Sequence, residues 1–190
     1  MAGNNANEIR VAGTGRVLVA PLNTAVPTDT TAPWAAGWKD LGFTGNDGVK
    51  FTKKDKIDQV ETWQSTSPAR LVYSQRDLTV KFGLLQLNED TVPFFFGSGS
   101  VEETSTSGTF SYDLSTQAVA DERMLGIEFT DGAAVKYRFI VPRGQVTDNE
   151  DLTLVNTAAI KLAVTYTALA PTDGSPLATW LMTDPSYATA

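Results

Sequence analysis

The sequence predicts an all-β fold, a β-sandwich or small barrel with one short helix packed against its side. Three stretches have the two-residue apolar alternation that is typical of half-buried strands: Asp77–Leu87, Arg123–Val141 and Ala159–Leu169. Only one segment, at about Glu89–Phe96, has the start and stop signals of a helix. Strands with one apolar face must bury that face, so two packed sheets or a closed sheet are expected.

The beginning of the chain contains little regular structure. Met1–Arg10 is polar and shows no pattern of an element, so we expect an N-terminal arm there. Arg16–Ala20 is the first predicted strand, because valines alternate along it. Pro21–Gly37 is rich in Pro, Thr and Ala and is predicted as a loop, and Trp38–Phe43 as a short strand.

Residues 47–76 form a long polar excursion, predicted as a strand-like hairpin with arms at Lys56–Gln64 and Ala69–Gln75. Seven charged side chains fall between Lys50 and Glu61, and apolar residues are sparse. A hairpin of this length and polarity cannot bury a face of its own. It is therefore either a mobile, solvated hairpin or an element that lies on a partner.

The main strand, Asp77–Leu87, leads into the predicted helix. Asn88 is the expected N-cap of that helix and Gly97 is its expected end. Gly97–Thr109 consists mostly of Gly, Ser, Thr and Glu and is predicted as a surface loop, followed by a short strand at Phe110–Leu114.

Arg123–Val141 is predicted as a hairpin around Asp131-Gly132. Matching its apolar faces pairs Phe129 with Val135, which requires an odd-numbered loop or a bulge. This register places Glu128 opposite Lys136 on an exposed or lumenal face.

The end of the chain contains a polar loop and an arm. Val146–Asn156 carries four consecutive residues with side-chain oxygens, but it lacks the alternating spacing and turn glycine of a calcium loop, so a solvated loop is favoured. Pro171–Ala190 is predicted as a C-terminal arm. Its apolar residues Trp180, Leu181 and Met182 need cover, which we expect an adjacent copy of the chain to provide.

The composition excludes several functions. The 190 residues, which can form one domain over 1–190, include no Cys and no His. Disulfides, thiol catalysis, Cys/His zinc sites and triads that use His are therefore excluded. No Ser-x-x-Lys spacing offers an alternative nucleophile, so we expect neither an enzyme nor a metal or cofactor site.

The charge argues against a protein that grips nucleic acid. Residues 1–85 carry ten Lys/Arg and eight Asp/Glu, whereas residues 86–190 carry five and fourteen, and the net charge is −7. A net-acidic chain attracts phosphates poorly. Acidity suits a protein past which DNA must slide, and it equally suits a protein that is acidic only for solubility.

Several features, taken in order along nearly the whole chain, resemble the major tail tube proteins of long-tailed (siphovirus-type) bacteriophages, particularly those of actinobacterial hosts. The segments that carry the resemblance are Asp47-Gly48-Val49-Lys50-Phe51, the Trp63-Gln64-Ser65 corner, Arg76-Asp77-Leu78-Thr79-Val80, the Asn88–Gly97 helix, Thr165-Tyr166-Thr167-Ala168-Leu169, Asp173-Gly174-Ser175-Pro176, and Trp180 before Asp184-Pro185.

The resemblance implies a structural role. Subunits of this family stack as hexameric rings in which inner sheets join edge to edge into one larger ring-shaped β-barrel. The implied partners are the chain itself, the tape-measure protein, the tail terminator, and distal tail or baseplate proteins. DNA passes through without specific binding, and no membrane insertion is expected. The implied location is the virion tail, after synthesis in the host cytoplasm.

The resemblance also favours the interpretation that the polar excursion at residues 47–76 lies on a partner and is not a mobile, solvated hairpin. The expected intersubunit contacts are Lys50, Lys53, Lys54, Lys56, Ile57, Val60, Trp63, Leu71, Tyr73, Trp180, Leu181 and Met182. If the polar faces of the long strands line the lumen, the lumen-facing residues are Thr79, Lys81, Glu128, Lys136, Arg138, Lys161 and Thr165.

Two alternatives stay open at this point. One is a tube subunit of a phage-derived particle, such as an injection device or a gene-transfer agent. The other is an acidic β-sandwich that acts as a binding or surface module. Polymerisation into tubes separates the first class from the second.

Overall fold

The computed structural model describes residues 4–187, so residues 1–3 and 188–190, the outer ends of the two predicted arms, lie outside the described residues. Within the described part the regular structure is mostly β-strand, as predicted. The strands are β1 (Thr14–Pro21), β2 (Lys39–Asp40), β3 (Lys50–Thr62), β4 (Ser65–Leu84), β5 (Val101–Glu103), β6 (Phe110–Tyr112), β7 (Arg123–Asp131), β8 (Val135–Asn149), β9 (Leu162–Ala168) and β10 (Thr179–Thr183). The helix is α1 (Thr91–Phe96), and 3₁₀ turns lie at Ala6–Glu8 and Pro185–Tyr187.

Eight strands form one antiparallel sheet in the order β2-β1-β7-β8-β9-β4-β3, with β10 paired to β8. β8 is shared: its residues 136–140 pair with β10 and its residues 144–149 pair with β9. The segment after β2 joins the two sides of the sheet. The backbone N–H of Leu41 donates to the Val17 carbonyl at 2.9 Å, and Thr44 forms a bridge with Leu84. The sheet therefore closes around one interior.

The main core fills this interior with the apolar faces of the strands. Alternation along each strand directs every second side chain inwards, and α1 packs against one side of the interior. The buried members are Val17, Val19, Leu41, Val80, Phe82, Leu84, Phe94, Phe95, Leu125, Ile127, Phe139, Val141, Leu162, Val164, Tyr166 and Ala168. Burying each of the large side chains contributes about 1.5–3 kcal/mol, so this core is the main source of stability.

A second apolar layer lies on the outer face of β1, β7 and β8, under the loop of residues 22–38. Trp38 is buried there, and Trp34 packs edge-on against it with ring centroids 4.6 Å apart. Gly126 allows this approach, because a Cβ atom at Gly126 would lie 2.6 Å from the Trp34 ring. The strand residues that point into the layer are Leu18, Ala20, Met124 and Ile140.

The helix begins later than predicted. α1 starts at Thr91, and the Asn88 side chain accepts hydrogen bonds from the backbone N–H groups of Asp90 and Thr91, at 3.0 and 2.9 Å. Asn88 therefore closes the turn before the helix instead of capping the helix itself. Gly97 ends the helix with φ of 78°, a left-handed conformation that glycine adopts without strain, as predicted.

Several strand boundaries differ from the prediction. β1 is longer than Arg16–Ala20, and β2 is shorter than Trp38–Phe43. The predicted surface loop contains β5, which pairs with β6 in a small separate sheet. β8 continues to Asn149, so the predicted polar loop at Val146–Asn156 begins only after it.

The β7–β8 register was predicted wrongly by two residues. The loop has three residues, 132–134, so that Asp131 pairs with Val135 and Phe129 pairs with Tyr137. Glu128 therefore lies opposite Arg138 instead of Lys136. The faces were assigned correctly, because a shift of two residues keeps every side chain on the same face of the sheet.

The expectation that an adjacent copy covers the C-terminal arm was wrong for Leu181, and it stays a prediction for the exposed parts of Trp180 and Met182. β10 pairs with β8 of the same chain, and Leu181 packs on the second apolar layer. Trp180 contacts Phe51 and Phe139, with ring centroids 5.6 and 4.8 Å away, although 41% of Trp180 stays exposed.

Asp184 fastens the two ends of the described chain to the sheet. Its carboxylate accepts hydrogen bonds from Arg10 Nε at 2.6 Å, from Arg10 guanidinium at 2.5 Å and from the Tyr137 hydroxyl at 2.5 Å. The Ser186 backbone N–H adds a fourth, at 2.9 Å. The hydrogen bond from Arg10 holds the pKa of Asp184 far below its usual range, and the bond to Asp184 raises the pKa of Tyr137 to about 12.

We predict that Asp184→Asn lowers the thermal midpoint of the isolated chain. The substitution removes the negative charge and turns an amide donor towards three donors that need an acceptor. Thermal unfolding followed by circular dichroism measures the change, with the exposed Asp113→Asn as the control. Equal midpoints for the two variants would contradict the role given to Asp184.

Candidate assembly surfaces

The β3–β4 hairpin extends beyond the closed sheet. Residues 79–84 of β4 pair with β9, but residues 65–78 of β4 pair only with β3. The projecting part runs from about Lys53 to the turn at Trp63-Gln64, a length of about 30 Å for an extended strand. The predicted excursion is therefore a hairpin, and its return arm is continuous with the main strand.

Both faces of the projecting hairpin are uncovered. Every residue from Lys56 to Arg76 is exposed. Ile57 pairs with Tyr73, and Leu71 lies two residues from Tyr73, so these three side chains share one face. Trp63, in the turn, is 99% exposed. An apolar surface of this kind on a soluble protein indicates an interaction site.

Ion pairs stiffen the base of the hairpin. Asp55 receives the Arg76 guanidinium at 2.9 Å and the Lys53 ammonium at 2.6 Å, which hold the pKa of Asp55 below its usual range. The hairpin also differs in charge from the rest of the chain. Residues 50–78 carry six Lys/Arg and four Asp/Glu, whereas the remainder carries nine and eighteen. A basic hairpin thus projects from an acidic body.

A polar face forms a second candidate surface, on the outer side of β3, β4, β9 and the second half of β8. We call it the threonine face. Its register aligns Thr52 with Thr79, Thr79 with Thr167, and Thr167 with Gln145. The hydroxyl groups of Thr147 and Thr167 form a hydrogen bond of 2.7 Å. Threonine hydroxyl groups therefore line this face, together with the ammonium groups of Lys50 and Lys81, which share it by the same register.

Four of the predicted lumen-facing residues lie together on or beside the threonine face: Thr79, Lys81, Thr165 and Lys161. Lys81 pairs with both Thr165 and Lys50, and it is exposed. The Lys161 ammonium contacts the Asp47 carboxylate at 2.8 Å, which lowers the pKa of Asp47.

The other three predicted lumen-facing residues lie on the opposite side of the main core. Glu128, Lys136 and Arg138 face outwards from β7 and β8, beneath the loop that carries Trp34. Glu128 is only 7% exposed and Arg138 only 2%. The prediction of an exposed or lumenal face was therefore wrong for Glu128, and the prediction that Arg138 faces the lumen was wrong as well. The covering loop hides them.

Glu128 and Arg138 form a buried ion pair that holds this loop. Arg138 Nε donates to Glu128 at 2.5 Å, and Arg138 Nη1 donates to the backbone carbonyls of Asp29 and Ala32, each at 2.7 Å. The Arg138 guanidinium also lies 5.0 Å from the centre of the Trp34 ring, whose N–H donates to Glu128 at 3.2 Å. The pair thus connects the sheet to the loop.

The protonation of Glu128 is set by two opposing effects. Burial raises the pKa of its carboxyl, but the hydrogen bond from Arg138 and the charges of Arg16 and Arg138 outweigh burial and hold the pKa below its usual range. Lys136 still contributes, with its ammonium 3.5 Å from Glu128 across a diagonal of the hairpin. Glu128 is therefore ionised at neutral pH.

The candidate contact residues fall into two groups. Those of the hairpin are exposed and face no other part of the described chain except near its base, where Phe51 meets Trp180. Trp180 and Met182 lie on β10 and remain half-exposed, whereas Leu181 is directed into the second apolar layer. Sequence reasoning did not single out Thr147 and Asp29, which hold the threonine face and the covering loop.

The described residues thus form a closed β-subunit with a long uncovered hairpin and a polar face on the outer side of the sheet. Residues 2–190 match the family model described as phage tail tube protein. The chain therefore belongs to the phage tail tube protein family, and it is a structural subunit of a tube in the virion tail. No curated protein matched the chain. No helix between residues 4 and 187 is long and apolar enough to span a membrane.

We predict that Glu128→Lys destabilises the chain by about 3–5 kcal/mol, because it places a fourth cation among Arg16, Lys136 and Arg138 and leaves Arg138 buried without a counter-charge. Urea unfolding measures the loss, and the exposed Glu89→Lys is the control, expected within about 0.5 kcal/mol of the parent. A small effect at Glu128 would mean that the loop does not bury it.

The same pair predicts a dependence on pH. The pKa of Glu128 is lower in the folded chain than in the unfolded chain. Its contribution to the free energy of unfolding is therefore complete above about pH 5 and is lost as the pH falls through the pKa of the folded chain. The gap in unfolding free energy between the parent and Glu128→Gln should therefore be constant from pH 5 to pH 7 and narrow in stronger acid.

Proposed function

We propose that this chain stacks as rings, in the hexameric arrangement, to form the tube of a long-tailed phage. In this arrangement the whole chain acts as one tail-tube domain, conducts DNA at ejection and encloses the tape-measure protein before it. Family membership supports the tube itself. The observation that carries the proposal is the hairpin, whose residues 56–76 are exposed on both faces and include a fully exposed Trp63.

The hairpin is the proposed intersubunit element. Asp55 forms ion pairs with Lys53 and Arg76 at its base, and the hairpin extends from there as an arm. Its apolar side chains have no cover in their own chain, and burying them on a neighbour is favourable by about 25 cal/mol per Å². The opposite charges of the hairpin and the body favour contact between copies and oppose contact between two hairpins.

The threonine face is the proposed wall of the lumen. Hydroxyl groups hydrogen-bond to water and carry no charge, so they neither hold the phosphates of DNA as a basic wall would nor repel them over long distances. Lys161 is neutralised by Asp47, and Lys81 and Lys50 are the exposed cations beside the threonines. Glu128, Lys136 and Arg138 are not part of this wall.

A tube of stacked rings has two ends, and each end exposes a ring surface to which other tail proteins can bind. We propose that the tail terminator and the distal tail or baseplate proteins bind the exposed ring surfaces at either end, and that the chain has no enzymatic activity of its own. A tube subunit of a phage-derived particle would have the same fold and self-assembly. Finding the assembled chain in particles with or without packaged phage DNA distinguishes the two.

The first test shortens the hairpin. Replacing residues 56–75 by Asn-Gly keeps the Asp55–Arg76 ion pair beside a two-residue turn and leaves the main core intact. We expect a folded chain, with the melting temperature of the parent within about 4 °C, that forms no tubes in negative-stain images. Thr66→Ala, an exposed change in the same hairpin, is the control and should assemble normally. Normal tubes from the shortened chain would refute the intersubunit role.

The second test locates the lumen. Because the chain has no Cys, Thr165→Cys and Ala36→Cys each introduce one thiol on opposite sides of the core: Thr165 lies on the threonine face, and the exposed Ala36 lies in the loop that covers the second apolar layer. In assembled tubes, Thr165→Cys should react with a small maleimide but not with a maleimide on a bulky polymer, whereas the unassembled chain reacts with both. Ala36→Cys should keep its reactivity with the bulky reagent. The reverse pattern would place the other face inside.

A further inference from the structure

The turn of the hairpin presents a Trp side chain that its own chain leaves uncovered. We define the hairpin tip as residues 62–72. Trp63 is 99% exposed there, and Arg70 is the only charged side chain in the tip. A large rigid aromatic side chain at the end of a stiff arm is the type of residue that anchors interfaces, because it buries a large area at a low cost in side-chain entropy.

A cleft of about 680 Å³ opens elsewhere on the same chain, on the outer face of β7, β8 and β10. We call it the outer cleft. It is the unfilled continuation of the second apolar layer, since Met124, Ile140 and Leu181 belong to both. Its two walls are the loop of residues 22–27 and the loop of residues 171–176, which contribute three proline rings: Pro27, Pro171 and Pro176.

Charges line the rim of the outer cleft. Glu122 and Arg143 pair there through two hydrogen bonds of 2.7 Å, and Asp173 adds a second carboxylate. The hydrogen bond from Arg143 lowers the pKa of Glu122, and bonds from Ser175 lower the pKa of Asp173, so both are ionised at neutral pH. The rim is therefore net negative by one charge.

We propose that the outer cleft of one chain receives the hairpin tip of a second copy, with the Trp63 indole on the apolar floor and Arg70 at the acidic rim. The proposal rests on the proposed function, because it requires that copies of the chain assemble. The occupant is a second copy because the tip is net positive by one charge, the rim is net negative by one charge, and the same chain carries both parts.

The geometry of such a contact suits a polymer. The tip and the cleft are different surfaces, so each chain can give its tip to one neighbour and its cleft to another. Contacts of this head-to-tail kind propagate, whereas a contact between identical surfaces stops at a dimer. The rings of Pro27, Pro171 and Pro176 and the flexible side chain of Met124 provide flat and adaptable surfaces for an indole.

A second groove offers the natural comparison. It is smaller, about 420 Å³, and it lies between the start of α1 and the β5–β6 hairpin. Ser111 lines this groove, and Thr172 lines the outer cleft. A cysteine at Thr172 or at Ser111 can therefore test which of the two grooves binds the hairpin tip.

The experiment uses the full chain, which has no Cys of its own. Gln64→Cys combined with Thr172→Cys should, after assembly and mild oxidation, give a ladder of covalent multimers on a denaturing gel. Gln64→Cys combined with Ser111→Cys, or Gln64→Cys alone, should give at most dimers. A ladder from the Ser111 combination, or none from the Thr172 combination in well-formed tubes, would overturn the pairing while leaving the tube function intact.

Substitution of the indole gives an independent measurement. Trp63→Ala should raise the concentration needed for assembly at least tenfold, and Trp63→Phe should raise it less, while both keep the thermal midpoint of the isolated parent. An unchanged assembly threshold for Trp63→Ala would overturn the pairing. If the parent chain stays monomeric at every concentration, the proposed function fails first and the pairing fails with it.

Discussion

The buried ion pair between Glu128 and Arg138 determines how the outer side of this subunit is organised. The sheet itself needs only its apolar core, but the loop of residues 22–38 pairs with no strand and is held instead by packing of Trp34 and Trp38 and by hydrogen bonds. Arg138 binds two carbonyls of this loop, and Glu128 accepts the N–H of Trp34. With the loop fixed, the second apolar layer has a cover and the outer cleft has a wall. A pair of this kind is costly to desolvate, and its benefit here is a defined position for the loop.

The closed sheet and the hairpin have different roles in the molecule. The sheet supplies stability, since its strands bury most of the large apolar side chains, and the ends of the chain are fastened to it through Asp184. The hairpin supplies surface, since nearly all of its side chains are exposed. The separation means that residues of the hairpin can be substituted without disturbing the apolar core of the subunit.

Much of the fold could be predicted from local pattern, and the errors have physical causes. The faces of β7 and β8 were predictable, because Leu125, Ile127 and Phe129 all alternate with polar residues. Their register was not, because shifts of two residues match the faces equally well and the choice depends on the length of the loop. The burial of Arg138 depends on carbonyls about a hundred residues away, for which the sequence holds no signal. The pairing of β10 was missed because its five residues follow a Pro- and Gly-rich segment.

The twenty residues of β4 run without interruption from the turn at the hairpin tip to the main core. One strand thus carries the outermost part of the molecule at one end and, at Thr79 and Lys81, part of the threonine face at the other. The β3–β4 ladder is continuous except at two register shifts, next to Ile57 and Thr62. In the proposed tube, a force on the hairpin tip would therefore act on the same strand that carries the threonine face. The two register shifts are the points where the ladder between these two regions is locally disrupted.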